Sequence, residues 1–531
     1  MSFLLLAAAL MVALLWPGEV FFESRALCLA LVAAAGLWQR CRLAPKGWLA
    51  AALVPLTLSA AIGACAQRSA RIVLLWALAA VAGLLCAQLE PGRRAALVRL
   101  LAGCGIALGA AGLYQYFWGF EHQLAALAQL RAPDGFLAPA RVRLLSGRIY
   151  ATYALPTTLA GTLAALLPLQ IAELLGAAGR RRALWACGAG LTAAALILTG
   201  SYGGLLVLLA GAAWIGRQRL RRWLWILAAA AGAVAALAVR RGFWLWELEA
   251  PAHPGLLRLS HWSDAAELAR LHPLGGIGPG NFAVAVTAVQ GPDAPASLYA
   301  HSAPLQLLAE AGVLGLPLLA LLVWLAIDLR RGAIGKERWG AALAAAVILA
   351  HNLIDIGFYF DSTAWMTAAL LGLALPRAPA ARPGRGAVIG SALAAALGWV
   401  LLTFFADRAR FEAQRELELS RLAAAGAALD QSARFDPWAP ETRQLQALLS
   451  ERQAQPARVR AQAWERAVRA DPWRAALRAR HAQALFETGW GVAALAQAQA
   501  ALELFPAQPR YAALRDRIAQ SLAASPGGKS R

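Results

Sequence analysis

Three polar features of this chain have residue types suited to chemistry on an anionic substrate. Arg148 is the first, Arg258 with Trp262 four residues later is the second, and His301 is the third. A guanidinium group can hold two phosphate oxygens at once, and a neutral imidazole can accept a proton from a hydroxyl group. We therefore predict that Arg148 and Arg258 bind phosphate and that His301 acts on a hydroxyl. Without context, such residues are more often solvated, structural or directed at lipid headgroups.

A glycine-rich turn separates Arg258 from His301 in the chain, reading Pro273-Leu274-Gly275-Gly276-Ile277-Gly278-Pro279-Gly280-Asn281-Phe282. The backbone N–H groups of such a turn, at Gly278 and Gly280, can bind an anionic group. Strings of this kind are weak signals alone, and Gly-Pro-Gly is usually only a turn. Both interpretations stay open, with Asn281 as a supporting residue.

Further polar side chains follow at helical spacing. Gln306 and Glu310 are four residues apart and would line one helix face, with Glu310 interpreted as a packing contact rather than a base. His351 and Asp355 have the same spacing, which puts both on one helix face and favours a mutual pair if they are buried. Structural pairing is favoured there over catalysis, which is left open.

The elements that position these residues are predicted to be membrane helices. The 531-residue chain is 60% hydrophobic and has a mean hydropathy of +0.54, above the range of soluble domains. A bilayer takes about 20 apolar residues per helix. Windows of that length predict an all-α polytopic bundle of about 12–13 transmembrane helices, near residues 3–20, 26–39, 47–65, 71–88, 97–117, 149–175, 183–200, 203–216, 223–239, 302–327, 339–357, 362–376 and 386–405. Ser2 to Trp16 lacks the basic start of a signal peptide and is interpreted as a retained first helix.

Basic residues predict the orientation. With the N-terminus inside, twenty Lys and Arg residues fall in loops on the cytoplasmic side, against Arg25, Arg68 and Arg71 in the short loops opposite. The loops near 118–148 and 240–301 and the tail 406–531 are then periplasmic, in a multi-pass protein of the bacterial inner membrane. This topology accounts for the net charge of +21 without a nucleic-acid partner.

The six cysteines show no metal-ligand spacing. We predict no disulfide, zinc site or cofactor.

The tail 406–531 carries an internal repeat. Asp436-Pro437-Trp438 recurs as Asp471-Pro472-Trp473, and Phe505-Pro506 follows, so the prolines lie 35 and then 34 residues apart. That is the tetratricopeptide period, in which proline ends one helix pair before the next. Helices are expected at 462–469 and 480–486, with Gly489 in a tight turn. A generic helical cap and a protein-binding groove remain equal interpretations.

Taken together, these motifs resemble the O-antigen ligase and polymerase superfamily. Its pattern has Arg-x-x-x-Trp, then a Pro-Leu-x-Gly-x-Gly-x-Gly-Asn-Phe turn, then Ala-His-Asn and a Leu-Gln-x-x-x-Glu-x-Gly-x-x-Gly helix. Arg258 and Trp262, the turn 273–282, and His301 with Gln306 and Glu310 fit it in order. The resemblance spans roughly residues 140 to 376.

The resemblance implies a metal-independent, inverting glycosyltransferase that uses a polyprenyl-diphosphate-linked glycan as donor. Arg148 and Arg258 would bind the diphosphate, and His301 would assist attack by an acceptor hydroxyl on lipid A core, a glycan or a protein. Relatives with similar tails polymerise exopolysaccharide or glycosylate proteins, so the tail would hold a protein acceptor or partner.

One position departs from the family pattern. Many relatives carry Ser-Arg-Gly after a Leu-Thr, where this chain has Leu198-Thr199-Gly200-Ser201-Tyr202. Tyr202 does not replace the charge of an arginine. Either Arg148 or Arg258 therefore contributes more to binding the phosphate groups, or the donor differs.

Two rivals to a ligase remain. A polymerase would extend one lipid-linked glycan with another and differ only in its acceptor. A transporter or non-catalytic scaffold is disfavoured, because the two halves show no repeat and the polar residues concentrate at the external boundary.

Overall fold

The computed structural model describes residues 1–18, 20–38, 47–129, 134–216, 254–291, 297–331, 338–377 and 386–524, and every regular element among them is a helix. In chain order the first ten are α1 Ser2–Leu15, α2 Phe22–Trp38, α3 Gly47–Ile62, α4 Ala66–Ala87, α5 Pro91–Tyr114, α6 Phe120–Gln129, α7 Asp134–Leu145, α8 Pro156–Gly176, α9 Gly179–Leu198 and α10 Tyr202–Gly216. The others are α11 Pro254–Leu271, α12 Phe282–Ala285, α13 Ala303–Ala311, α14 Leu316–Arg331, α15 Trp339–His351, α16 Asp361–Ala374, α17 Gly386–Glu418, α18 Leu422–Phe435, α19 Pro440–Arg452, α20 Ala457–Ala470, α21 Ala475–Glu487, α22 Gly491–Leu504 and α23 Pro509–Ala523.

The protein is a polytopic helical membrane protein, as predicted. Among the described residues, six helical segments are long and apolar enough to cross a bilayer: Ala66–Ala87, Pro91–Gln129, Pro156–Gly176, Gly179–Leu198, Ala303–Arg330 and Ile389–Glu418. The same residues include four shorter apolar helices, at Ser2–Leu15, Leu49–Ile62, Tyr202–Ala212 and Trp339–His351. The larger number of 12–13 spans stays a prediction.

Some predicted features lie outside the described residues. These are the span 223–239, residues 240–253 and 292–296 of the second long loop, and the basic residues Arg40, Arg42, Lys46, Arg217, Arg219, Arg221, Arg222, Lys336, Arg382 and Arg385.

Three predicted boundaries were wrong for identifiable reasons. The helix predicted from residue 149 begins at Pro156, since proline suits a first helical position. The span 302–327 is interrupted at Gly312, which has φ of +55°, before a 3-10 turn Gly312–Gly315. The last span continues from 405 to Glu418, because its polar end is rich in good helix formers. The predicted loop 118–148 is largely helical, through α6 and α7.

The chain forms two compact units. The first comprises Met1–Ala50, Leu75–Ala250 and Leu319–Leu397. Helix α8 lies at its centre, packed against α5, α9, α10 and α15, and residues 158–170 of α8 are all buried. Gln170, the buried amide of this helix, donates to the Ala102 carbonyl and to Thr192 Oγ1, both at 3.0 Å. A helix that is apolar on all sides belongs in the middle of a bundle, and its buried polar group needs such partners.

The second unit comprises Ala51–Leu74, Pro251–Leu318 and Gly398–Arg531. It joins the segment with the glycine-rich turn and His301 to the tail and to the start of α4. The division at residue 405 drawn from the sequence stays a prediction.

The tail keeps the repeat that the sequence predicts. Helices α18, α20 and α22 begin at residues 422, 457 and 491, and α19, α21 and α23 begin at 440, 475 and 509, so both sets are spaced by 35 and 34 residues. Each helix packs on the next. Gly489 has φ of +82° in the turn between α21 and α22, and Trp464 is the largest side chain buried in the tail core. Its identity as a tetratricopeptide domain remains a prediction.

Candidate active site

His301 lies at the entrance to α13, against helix α11. The indole Nε1 of Trp262 donates to the carbonyl oxygen of His301 at 3.3 Å, and the rings of His261 and His301 are 5.9 Å apart. His301 has φ of +52°, a left-handed conformation that a side chain makes costly. Such strain is retained where the surrounding contacts fix it, often at functional sites. The Trp262 bond thus holds the backbone that carries the imidazole.

Arg258 lies one helical turn before His261 and Trp262, so all three share the side of α11 that meets the His301 segment. Its side chain is half-buried. Within the part of the chain that the structure describes, the guanidinium group has no hydrogen bond or ion pair. A partly desolvated arginine without a protein partner is suited to bind an anion.

Burial sets the charge state of the neighbouring histidine. It lowers the pKa of His261 below its ordinary value of 6.5, and repulsion from His301 lowers it further. His261 is therefore neutral at neutral pH and adds no positive charge beside His301.

The glycine-rich turn is closed by Glu310, which has no exposed surface. The N–H of Gly280 donates to Oε2 of Glu310 at 2.7 Å, the N–H of Phe282 donates to Oε1 at 3.1 Å, and the N–H of Gly278 donates to the Glu310 carbonyl at 2.7 Å. Gln306 supports this carboxylate at 3.3 Å from the same helix face. These contacts agree with the interpretation of Glu310 as a packing contact, which stays a prediction.

This arrangement corrects the role given to Gly278 and Gly280. We predicted that their N–H groups bind a diphosphate, but both point at Glu310. In this structure the carboxylate of Glu310 accepts hydrogen bonds from the turn, at the N–H groups of Gly280 and Phe282.

The turn needs glycine because backbones meet there. Gly278 has φ of +89°, and a Cβ at this position would lie 2.8 Å from Gly63 Cα. Backbone bonds join the segment to the connection after α3, from Ala64 N–H to the Ile277 carbonyl at 2.9 Å, and to α13, from Ile277 N–H to the Ala309 carbonyl at 3.2 Å. Ser59 donates to the Gly275 carbonyl at 2.7 Å.

Asn281 connects this turn to residues that the sequence did not single out. Its Nδ2 donates to Ser69 Oγ at 2.9 Å and to the carbonyls of Ile277 and Gly278 at 3.1 Å, while its Oδ1 accepts from Arg68 at 2.8 Å. The sequence identifies Arg68 only as one of three basic residues in the short loops predicted opposite the basic side. Nothing in the local pattern tied it to the turn.

Arg148, His351 and Asp355 belong to the first unit. Arg148 Nε donates to the Thr199 carbonyl at 2.9 Å, and the next residue, Ile149, donates from its N–H to the Leu198 carbonyl at 3.3 Å. Arg148 therefore lies against the segment that departs from the family pattern, just before Tyr202 begins α10.

His351 and Asp355 do meet, but not on one helix face. Helix α15 ends at His351, and Asp355 returns from the following turn to place Oδ2 3.8 Å from the His351 Nε2. Both are buried, and the His351 ring is close to Gly161, where a Cβ would lie 2.6 Å from Nδ1. The tight packing supports structural pairing. No three His, Cys, Asp or Glu side chains group as metal ligands anywhere in the described ranges.

The fold and these contacts define a helical membrane protein with an arginine, a histidine and a carboxylate-closed turn assembled on α11, α12 and α13. Residues 187–320, about a quarter of the chain, match the family model for O-antigen ligase. Through this segment the chain is similar to the O-antigen ligase family, which supports a ligase-like glycosyltransferase role in general. The match includes Arg258, the turn and His301, and leaves out Arg148 and the tail. Among curated proteins, none matches the chain.

Proposed function

We propose that this protein transfers a saccharide from undecaprenyl diphosphate to a hydroxyl acceptor at the periplasmic face of the bacterial inner membrane. The observation that carries the proposal is Arg258, without a partner among the described residues, on the side of α11 that holds His301 through Trp262. Both residues lie in the segment that matches O-antigen ligase. The periplasmic location rests on the positive-inside distribution of Lys and Arg.

In the proposed step, His301 accepts the proton of the acceptor hydroxyl as its oxygen attacks the anomeric carbon. The bond between that carbon and the diphosphate oxygen breaks, and the diphosphate leaves with the electron pair. Arg258 stabilises the charge that develops on this leaving group, which is where a fixed cation contributes most to rate. A single displacement inverts the anomeric centre. Because Arg258 supplies the positive charge, the proposed step requires no metal ion.

Arg148 is proposed as the second diphosphate ligand. Its contact with the Thr199 carbonyl puts its guanidinium group in the segment where relatives often carry an arginine and this chain has Tyr202. This position supports the proposal that Arg148 supplies the positive charge that relatives obtain from an arginine at the position of Tyr202. Membrane lipids surround the helices, and the tail is available to a protein partner or acceptor.

Transfer by the purified full-length protein in lipid vesicles tests this function. With a lipid-linked glycan as donor and lipid A core, glycan and protein as alternative acceptors, the wild type yields a conjugate and free undecaprenyl diphosphate. His301→Ala is expected to lower the rate by about 100-fold or more, the usual contribution of a general base. His122→Ala, on exposed helix α6, is the matched control and retains the wild-type rate.

The product identifies the acceptor. A conjugate on lipid A core or protein supports the ligase, whereas ladders still attached to polyprenyl diphosphate identify the polymerase. Full activity of His301→Ala would overturn the assigned role.

A further inference from the structure

The second Asp-Pro-Trp motif of the tail is connected to the glycine-rich turn by a line of polar contacts. Asp471 Oδ2 accepts from Arg68 Nη2 at 2.7 Å, and Arg68 Nη1 donates to Asn281 Oδ1 at 2.8 Å. Asn281 in turn donates to the carbonyls of Ile277 and Gly278. One guanidinium group thus joins the tail to the turn that Glu310 closes.

Burial makes this connection specific. The side chains of Asp471 and Arg68 are 2% and 19% exposed, and Asn281 is fully buried. Buried charges require a partner of good geometry, and removing one member leaves the other uncompensated. Arg474 also reaches Asp471, at 3.1 Å, so the carboxylate is enclosed by two arginines.

Apolar contacts accompany the polar line. The ring of Trp473 lies 5.2 Å from that of His272, which precedes the turn. Trp473 also packs against the buried cluster that contains Ile277 and Phe282 of the turn and Ala300 beside His301. A separate hydrogen bond also joins the tail to this region, donated by Thr287 Oγ1 to the Leu504 carbonyl at 2.8 Å.

We propose that Asp471 is a positioning residue for glycan transfer, acting through Arg68 and Asn281 to fix the glycine-rich turn and, through it, the helix that begins after His301. This inference rests on the proposed function. The turn is bonded to that helix at Ala309 and Glu310, so a displaced turn displaces the His301 segment. The C-terminal region therefore completes the active site in addition to any partner that it binds.

The first motif copy supplies a matched control. Asp436 occupies the same motif position and also contacts α4, through Gln67 and through Arg71 at 3.1 Å. Arg71 bonds to Asp407 and Asp436, not to the turn. Loss of Asp436 therefore loosens the tail without a direct route to Asn281.

The test compares Asp471→Asn, Asp471→Glu and Asp436→Asn in the full-length protein in lipid vesicles. Asp471→Asn is expected to lower kcat by about tenfold to a hundredfold, the cost of slight misplacement of reacting groups, with little change in KM for the lipid-linked donor. Asp471→Glu restores part of the rate, and Asp436→Asn stays near the wild type. Since the effect passes through Asn281, Asp471→Asn combined with Asn281→Ala is no slower than Asn281→Ala alone. Additive losses, or equal losses for Asp436→Asn and Asp471→Asn, would overturn the proposal.

A second measurement does not require activity. Hydrogen exchange at the amides of Gly278, Gly280 and Phe282 is expected to accelerate in Asp471→Asn and to stay unchanged in Asp436→Asn. If the wild type transfers no glycan, the proposed function fails while the exchange data still decide whether Asp471 holds the turn. Unchanged exchange in Asp471→Asn contradicts the positioning role.

Discussion

The two Asp-Pro-Trp copies of the tail have the same sequence and different surroundings. Trp438 of the first copy is 76% exposed. Trp473 of the second is partly buried against the cluster beside the glycine-rich turn and lies over His272. The aspartates differ less, because both contact polar side chains near the start of α4.

The difference shows that the repeat determines the local structure of each copy. The segment packed against a copy determines whether that copy contacts the candidate active site. Both copies end one helix and precede the next, since aspartate and proline favour a turn. Among the described residues of 254–311, contacts that lead to the site are made by the second copy, through Asp471 and Trp473. The experiments that follow test whether this asymmetry is energetic as well as geometric.

The largest difference is expected between Arg68→Met and Arg71→Met. Loss of Arg68 leaves buried Asp471 with Arg474 alone and removes the donor to Asn281, for an expected decrease of about 3 kcal/mol in the free energy of unfolding. Loss of Arg71 costs about 1 kcal/mol, because Asp407 keeps Arg410 and Asp436 keeps Gln67. Thermal unfolding of the detergent-solubilised protein, followed by tryptophan fluorescence, measures both. Equal decreases in Tm would remove the energetic asymmetry.

The sequence predicts the helical class and the tail period because both depend on patterns that local physics repeats. Apolar windows locate membrane helices, and the Pro437 and Pro472 spacing reappears as the spacing of helix starts. Boundaries fail where one residue overrides the pattern, as Gly312 does by breaking an otherwise apolar span.

The site is predicted in part. The order of Arg258, the turn and His301 can be recognised in the sequence. In the structure, Trp262 of α11 donates a hydrogen bond to the His301 carbonyl. The residues that contact the turn cannot be predicted from local spacing, since Arg68 and Asp471 lie 403 residues apart in the chain. The spacing of Gln306 and Glu310 predicts a shared helix face, yet the contact of Glu310 with the turn is a tertiary contact that no local spacing encodes.

A smaller difference is expected from the tryptophans themselves. Trp473→Ala removes partly buried apolar surface and should lower the free energy of unfolding by about 2 kcal/mol. Trp438→Ala at the exposed position should change it by less than about 0.5 kcal/mol. The same thermal unfolding assay compares them, read by circular dichroism because the substitutions alter tryptophan fluorescence. A Tm loss in Trp438→Ala as large as that in Trp473→Ala would show that the first copy has a partner of its own.

The smallest expected effect is on the pH dependence of stability. It concerns His272, whose ring lies against Trp473 of the second copy. Burial lowers the pKa of His272 below 6.5, so the neutral form is favoured in the folded protein and the unfolded chain takes up the proton first. The stability from His272 is complete above pH 6.5 and is lost as the pH falls through 6.5 towards the lowered value. In His272→Gln, Tm should therefore decrease slightly less between pH 7.5 and pH 5.5 than in the wild type. The difference is small because burial also lowers the pKa values of His261 and His481, and both residues keep their own contributions to the decrease. The exposed His122→Gln serves as control, and an unchanged slope in His272→Gln would mean that the Trp473 contact does not depend on a neutral imidazole.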